Sequence, residues 1–417
     1  MSQAPVENAL QNVRAEWVAS DLSGDYPGPP TDPAWNRFSD YLTIYPGWSG
    51  DAGVEGDTTV GTGWTTDHFR GPEEHDLTLS YWLQRFPVDA SSNPNDPIGE
   101  LLTLDYQSQY PVHEVLFRRE VADGGVDGAG FREFIYGSGC YPSSGSLPGD
   151  PSAANPIVAE AGYAAQKVRQ YIIHQPADGT TLEVVSTNAN DTMDITIESE
   201  DGAQSETLTL TGTTTVTGAT SFTDIDAIWL SAEPQGDISV KDDSGNDLLE
   251  DPIQGSDDDG VEGDRGIPTL GSGSHSSAIG TDPADYLFLG TSSTFAGGAL
   301  AESASADRVH ALDLSIDVDL TREPGQGTRR QFIDPGTASV EVSADVAGPY
   351  ETAKQNVRYY RETTGDLVYT YPDGSITVKN AQLTDTDDVD RSAGDANQLY
   401  GVTFEGSGDP AVTATHN

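Results

Sequence analysis

Glu74-His75-Asp76-Leu77-Thr78-Leu79-Ser80-Tyr81 sets Leu77, Leu79 and Tyr81 on one side of an extended chain, with shorter or polar residues between them. Successive side chains of a strand point to opposite faces, so the segment reads as a half-buried strand, with Trp82 facing away from Tyr81. Far downstream, Thr337-Ala338-Ser339-Val340-Glu341-Val342-Ser343-Ala344 repeats the alternation. Around these two strands the same order of pieces recurs. Residues 39–45 correspond to residues 312–319 ahead of them. Val115-Leu116-Phe117-Arg118-Arg119-Glu120 and Val357-Arg358-Tyr359-Tyr360-Arg361-Glu362, which both join Arg to aromatics, come after. Each is followed by a glycine turn, then by the strands 131–136 and 367–371, and each series closes on a strand, at 157–165 and 398–404. The reading is a duplicated β domain.

Between the two series the composition changes at Gln175-Pro176-Ala177-Asp178-Gly179. Residues 182–253 are rich in Thr, Val and Ile, with short strands expected at 193–198, 206–211, 227–232 and 236–241. Strands every 8–12 residues over about 75 residues suit one small immunoglobulin-like sandwich. The acidic, glycine-rich run from Ser256 to Asp264 then reads as a linker. The expected organisation is a first domain over 1–180, an insert with its acidic linker over 181–262, and a second domain over 263–417. An insert of this kind is expected to face outward and to be dispensable for assembly. A helix is expected over 5–19, from apolar residues at Val6, Ala9, Leu10, Val13 and Trp17. The fold class is mainly β: two similar barrel or sandwich domains, a short helix, and an inserted sandwich.

The charge balance is extreme. Sixty-eight carboxylates face 20 basic residues, four of them lysines, for a formal net charge of -48. Disorder does not explain it, because 35% of the residues are hydrophobic and the chain carries 6 Trp, 17 Tyr and 11 Phe. A folded protein with this surface repels itself in dilute buffer, whereas in molar salt the Debye length shrinks to about 3 Å. A hypersaline habitat follows, with the carboxylates as a hydrated coat. The field has the wrong sign for binding nucleic acid through its phosphates. No stretch approaches the roughly 20 apolar residues of a membrane span. The N-terminal residues have no secretory signal, so synthesis in a cytoplasm is expected.

Candidate sites are few. His68, His75 and His113 share no metal-ligand spacing and read as structural or surface histidines. The one cysteine, Cys140, allows no intrachain disulfide and reads as a small packed residue. Gly271-Ser272-Gly273-Ser274-His275-Ser276 lacks the Gly-x-Ser-x-Gly nucleophile pattern and reads as a loop, and no phosphate-binding Gly-Lys-Ser/Thr loop is present. Asp385, Asp387, Asp388 and Asp390 form the best candidate for a hard cation, but without the glycine and glutamate of an EF-hand loop. No nucleophile, base or cofactor set assembles, and neither an enzyme nor a cofactor is expected.

On the duplicated strand order, the 337–346 strand, the Tyr371-Pro372-Asp373-Gly374-Ser375-Ile376-Thr377-Val378 hairpin, Asn380-Ala381-Gln382-Leu383, and the ending Val402-Thr403-Phe404-Glu405-Gly406-Ser407-Gly408-Asp409-Pro410, the chain resembles the tail tube (major tail) proteins of long-tailed viruses, here of the haloarchaeal kind. The stretch from Thr211 to Val240 is similar to immunoglobulin-like insertions of virion proteins. The resemblance implies a subunit whose sheet joins those of its neighbours around a lumen. Members with a doubled domain form homotrimers with pseudo-sixfold symmetry; a homohexamer is the alternative. It implies rings stacked into a tube, other tail proteins at the tube ends, and viral DNA passing through the lumen without specific binding. The loops 86–101 and 383–397 are then expected to pack onto the next ring. Other readings are a capsid-decoration or baseplate protein, or an adhesin-like surface protein.

Overall fold

The computed structural model describes residues 13–416 except 24–27, 31–33, 40–41, 44–45, 52–53, 59–64, 71–73, 105–109, 122–129, 150–156, 177–178, 257–262, 269–293, 298–308, 325–330, 349–363, 372, 387–397 and 409. A first set of elements comprises β1 (Val13–Ala19), β2 (Asn36–Arg37), β3 (Gly47–Asp51), β4 (Val54–Thr58), β5 (Thr65–Arg70), β6 (Glu74–Trp82), helix α1 (Pro97–Leu102), β7 (His113–Val121), β8 (Phe131–Gly149) and β9 (Val158–His174). There follow β10 (Leu182–Ser186), β11 (Asp194–Glu198), β12 (Ser205–Thr209), β13 (Val216–Thr217), β14 (Ala227–Leu230), β15 (Ile238–Asp242) and β16 (Gly266–Ile267). The last set is β17 (Thr294–Gly297), β18 (Val309–Pro324), β19 (Gln331–Gly348), β20 (Thr364–Tyr371), β21 (Gly374–Thr386), β22 (Gln398–Glu405) and β23 (Val412–His416). The protein is mainly β, as its alternation predicts.

Apart from β4 and β5, which pair only with each other, the first and last sets lie in one 14-stranded antiparallel sheet and repeat one strand order. In the first set the neighbours run β3-β6-β9-β8-β7-β1. In the last they run β18-β19-β22-β21-β20-β17. Each strand of one series thus has a counterpart at the same place in chain and sheet. Three correspondences read from sequence shift accordingly. The counterpart of β18 is β3, rather than residues 39–45. The counterpart of β8 is β21, rather than 367–371, which belongs to β20 and matches β7. Residues 357–362 lie outside the described residues. Arg-plus-aromatic composition misled the match, because hairpin order, not residue type, sets a strand's place in a sheet.

The segment expected as a helix over 5–19 is, where described, the strand β1, with Trp17 opposite Val115 and Ala15 opposite Phe117. A 3.6-residue and a two-residue period both fit Val13, Ala15 and Trp17, and pairing along β7 selects the strand. The short helix lies instead inside the loop 86–101. Asp96 caps it, accepting the Gly99 N–H at 2.8 Å, with Pro97 in the first turn. Ile98, Leu101 and Leu102 are buried. The ends of that loop are thus anchored in the chain's own core, while residues 90–93 between them are exposed.

One core runs through both sets of the large sheet. Leu77, Leu79, Tyr81 and Phe117 of the first join Leu314, Ile316, Val342 and Phe404 of the last, and the Phe86 ring packs 5.8 Å from that of Tyr371. The carboxyl of Asp96 is sealed in this core beside the Tyr81 hydroxyl, which donates to it. Burial pushes its pKa from 3.8 up to about 6. The folded state therefore holds a proton that the unfolded state gives up, and stability falls as pH rises from about 4 to 6. Asp96→Asn keeps the cap without the charge. Its stability gain over wild type should grow from near zero at pH 4 to about 3 kcal/mol at pH 7. A gap that stays constant across that pH range in thermal melts would contradict the assignment.

Residues 182–267 form two further sheets, β13-β10-β15 and β12-β11-β14-β16, closed over Leu182, Ile195, Phe222, Ile228 and Val240. The sandwich ends later than expected, because β16 pairs with β14 beyond the 262 boundary. The end of the expected linker is structural too. Asp264 is buried against Lys167 and lies 3.3 Å from Arg169, and Lys167 donates to the Gly263 carbonyl at 3.1 Å.

Candidate assembly surface

A protein built from one large sheet presents its neighbours with strand edges and sheet faces. β8 is 19 residues long and outruns its hairpin partner β7, whose pairing stops at His113 opposite Cys140. On the same edge β18 then takes over, from Ser144 opposite Asp317 to Gly149 opposite Leu312. The two strand series are therefore joined edge to edge within the chain. Arg322, near the far end of the β18–β19 hairpin, adds an ion pair to Asp76 and donates to the His75 carbonyl at 3.2 Å. The exposed face of that hairpin carries Asp317, Asp319, Glu323, Glu341 and Asp345. Its other face carries the buried Leu314, Ile316, Val340 and Val342.

β3 is the edge strand at the other end of the repeated order. It pairs with β6 on one side, and no strand among the described residues pairs with its other side. Trp48 on this strand is 42% exposed. Unpaired edges invite further strands and are usually blunted by charge, bulges or proline.

The first set also has a second covered face. Along β7, Val115 and Phe117 enter the main core, while Leu116 faces the sandwich with Val18, Trp35, Phe134, Tyr136, Tyr171 and Ile173. Two arginines cross the same seam. Arg118 reaches Asp226 at 2.6 Å and Glu200 at 2.9 Å, and Arg132 reaches Asp226 at 3.2 Å and Glu200 at 2.9 Å. Arg118 is buried, which opposes its charge, but Asp226 and Glu200 outweigh this and raise its pKa further. Nearby, Glu114 is fully buried and accepts from the Ser20 hydroxyl at 2.6 Å, the Gly139 N–H at 3.2 Å and the Tyr136 hydroxyl. Burial raises its pKa.

The residues singled out in the sequence are not brought together. His113 is buried 2.7 Å from Glu100 and packs against Trp17, the two rings tilted with centroids 4.7 Å apart. His75 is buried on β6, and the side chain of His68 lies outside the described residues. Cys140 is buried on β8, which raises its thiol pKa well above the ordinary value. Asp385 is exposed on β21, while Asp387, Asp388 and Asp390 lie outside the described residues, as does 271–276. Among the described residues no group of three or more His, Cys, Asp or Glu side chains is placed to hold a metal ion. No helix among them is long and apolar enough to cross a membrane. Sequence reading missed the arginine seam, since Arg118 and Asp226 are 108 positions apart.

No protein-family model matches the chain, and no curated protein matches it. Among solved structures it is similar to a chain of the virion of a native gene transfer agent particle, at 10% identity and a TM-score of 0.23, covering 31% of this chain and 97% of that one. It is also similar to a chain of the anti-feeding prophage baseplate, at 12% identity and a TM-score of 0.25, covering 41% of this chain and 97% of that one. Both likenesses are too remote to bear on what this chain does.

Proposed function

We propose that the chain is a structural subunit of a virus tail tube, without catalytic activity. Three copies would make a ring of six like sheet units around a lumen. The observation that carries this reading is the repeated strand order, β3-β6-β9-β8-β7-β1 and β18-β19-β22-β21-β20-β17, joined edge to edge through β8 and β18. A chain that already holds two such units side by side needs only to repeat the joint to close a ring with no open edge, at half the number of subunits. The acidic face of the β18–β19 hairpin suits a bore that DNA must traverse without adhering, since like charges repel. The sandwich, immunoglobulin-like in its strand spacing, would sit on the outer side. A place in a baseplate would use the same edges but need not build a rod.

Electron microscopy of the purified protein in molar salt tests this: hollow rings or rods with three chains per ring are expected. A monomer at every concentration would refute it. With a formal net charge of -48, dilution to tens of millimolar salt lengthens the screening distance to about 10–30 Å. Rings should then dissociate, as read by sedimentation, and rings that persist unchanged would contradict the salt-adapted reading.

A further inference from the structure

We propose that the outer edge of β3 pairs with the end of β21 from a second copy of this chain, in the register of the internal β8–β18 joint, so that Trp48 lies opposite Leu383. This deepens the tube-subunit reading and rests on it.

The register follows from the repeat itself. Leu77 of β6 and Val340 of β19 are counterparts, and each is buried. Leu77 lies opposite Trp48 and Val340 opposite Ile316, which makes Trp48 the counterpart of Ile316. In the internal joint Ile316 lies opposite Gly145, and Gly145 lies opposite Ala161 of β9. Ala161 and Phe404 are counterparts in the two closing strands, and Phe404 lies opposite Leu383. Leu383 therefore stands where Gly145 stands. Both strands carry a register shift close to this place, ahead of Gly145 between Pro142 and Ser144 in β8 and just after Leu383, before Asp385, in β21. The β21 shift skips Thr384, so that Asp385 lies opposite Thr403 as Ser146 lies opposite Glu160. Ser146 meets Ser315 in the internal joint, and the counterpart of Ser315 is Gly47. The second joint thus sets Gly47 against Asp385.

Burial points the same way. Ile316, whose strand is paired on both sides, is 2% exposed. Trp48 occupies the same position on a strand paired on one side among the described residues, and it is 42% exposed. An exposed Trp at an edge that is covered in its internal counterpart is a surface awaiting a strand. The occupant is the same polypeptide, because the only joint of this geometry in the described residues is made by this chain with itself.

Cysteine trapping in molar salt tests the register. Directly opposed residues of paired antiparallel strands have Cα atoms about 4.5–5.5 Å apart, within disulfide range. The native Cys140 is buried and does not interfere. Gly47→Cys with Asp385→Cys should give a ladder of covalent multimers on oxidation, and Gly47→Cys with Thr413→Cys should not. Trp48→Glu should convert rings to monomers with the wild-type melting curve. Rings that form without the Gly47–Asp385 cross-link would overturn this joint and leave the tube reading standing. Absence of both rings and cross-link would overturn the two together.

Discussion

Removing residues 182–253 should leave a chain that no longer folds to a soluble form, even in molar salt. The sandwich is not tethered at arm's length: its core is continuous with one face of the first strand set. Deletion would expose Val18, Trp35, Leu116, Phe134, Tyr136, Tyr171 and Ile173, all buried in the intact chain. Returning one large apolar side chain to water costs roughly 1.5–3 kcal/mol, so seven of them cost roughly 10 kcal/mol or more. Whole domains are stable by only about 5–15 kcal/mol. The independence expected of an outward-facing insert therefore gives way to mutual dependence. Soluble yield and thermal melting of the deleted chain decide the matter. A soluble product that melts like wild type would show that the shared face contributes little.

The second large effect is expected at Asp226→Ala. Asp226 is fully buried between Arg118 and Arg132, and removing it leaves two guanidiniums in the seam with only the partly exposed Glu200, Asp224 and Glu120 as carboxylate partners. Breaking a buried pair on one side typically costs about 3–5 kcal/mol, because the remaining charge stays desolvated. Buried pairs are poorly screened, so the loss should persist in molar salt, unlike the contribution of surface pairs. Chemical unfolding of the variant in high salt measures it. A change below about 1 kcal/mol would mean that apolar contact alone holds the sandwich in place.

Much of the architecture is written in local pattern. Alternation in residues 74–81 predicts β6, and the spacing of Thr, Val and Ile runs locates β11, β12, β14 and β15 within a residue or two. These signals survive in one dimension because a strand's two-faced period is a property of its own side chains. The helix was legible and overlooked: Asp96-Pro97 followed by Glu100 is a capping signal, whereas residues 5–19 offered periodicity without a cap. β7 reads as a strand over 114–121, but its partners do not, since His113 to Arg118 is buried on both faces and its polar residues are satisfied far away in the chain. Glu114 depends on Ser20 and Tyr136, and Arg118 on Asp226.

The amino-acid sequence alone determined the β class, the presence of an inserted unit and the twofold recurrence of strands. Each arises from composition or from periodicity along the chain. Tertiary structure decided which strands correspond, which edge is covered, and that the insert shares a core with its host. Those depend on pairing and burial between residues far apart in the chain, where loop closure brings together groups whose spacing carries no trace of the contact.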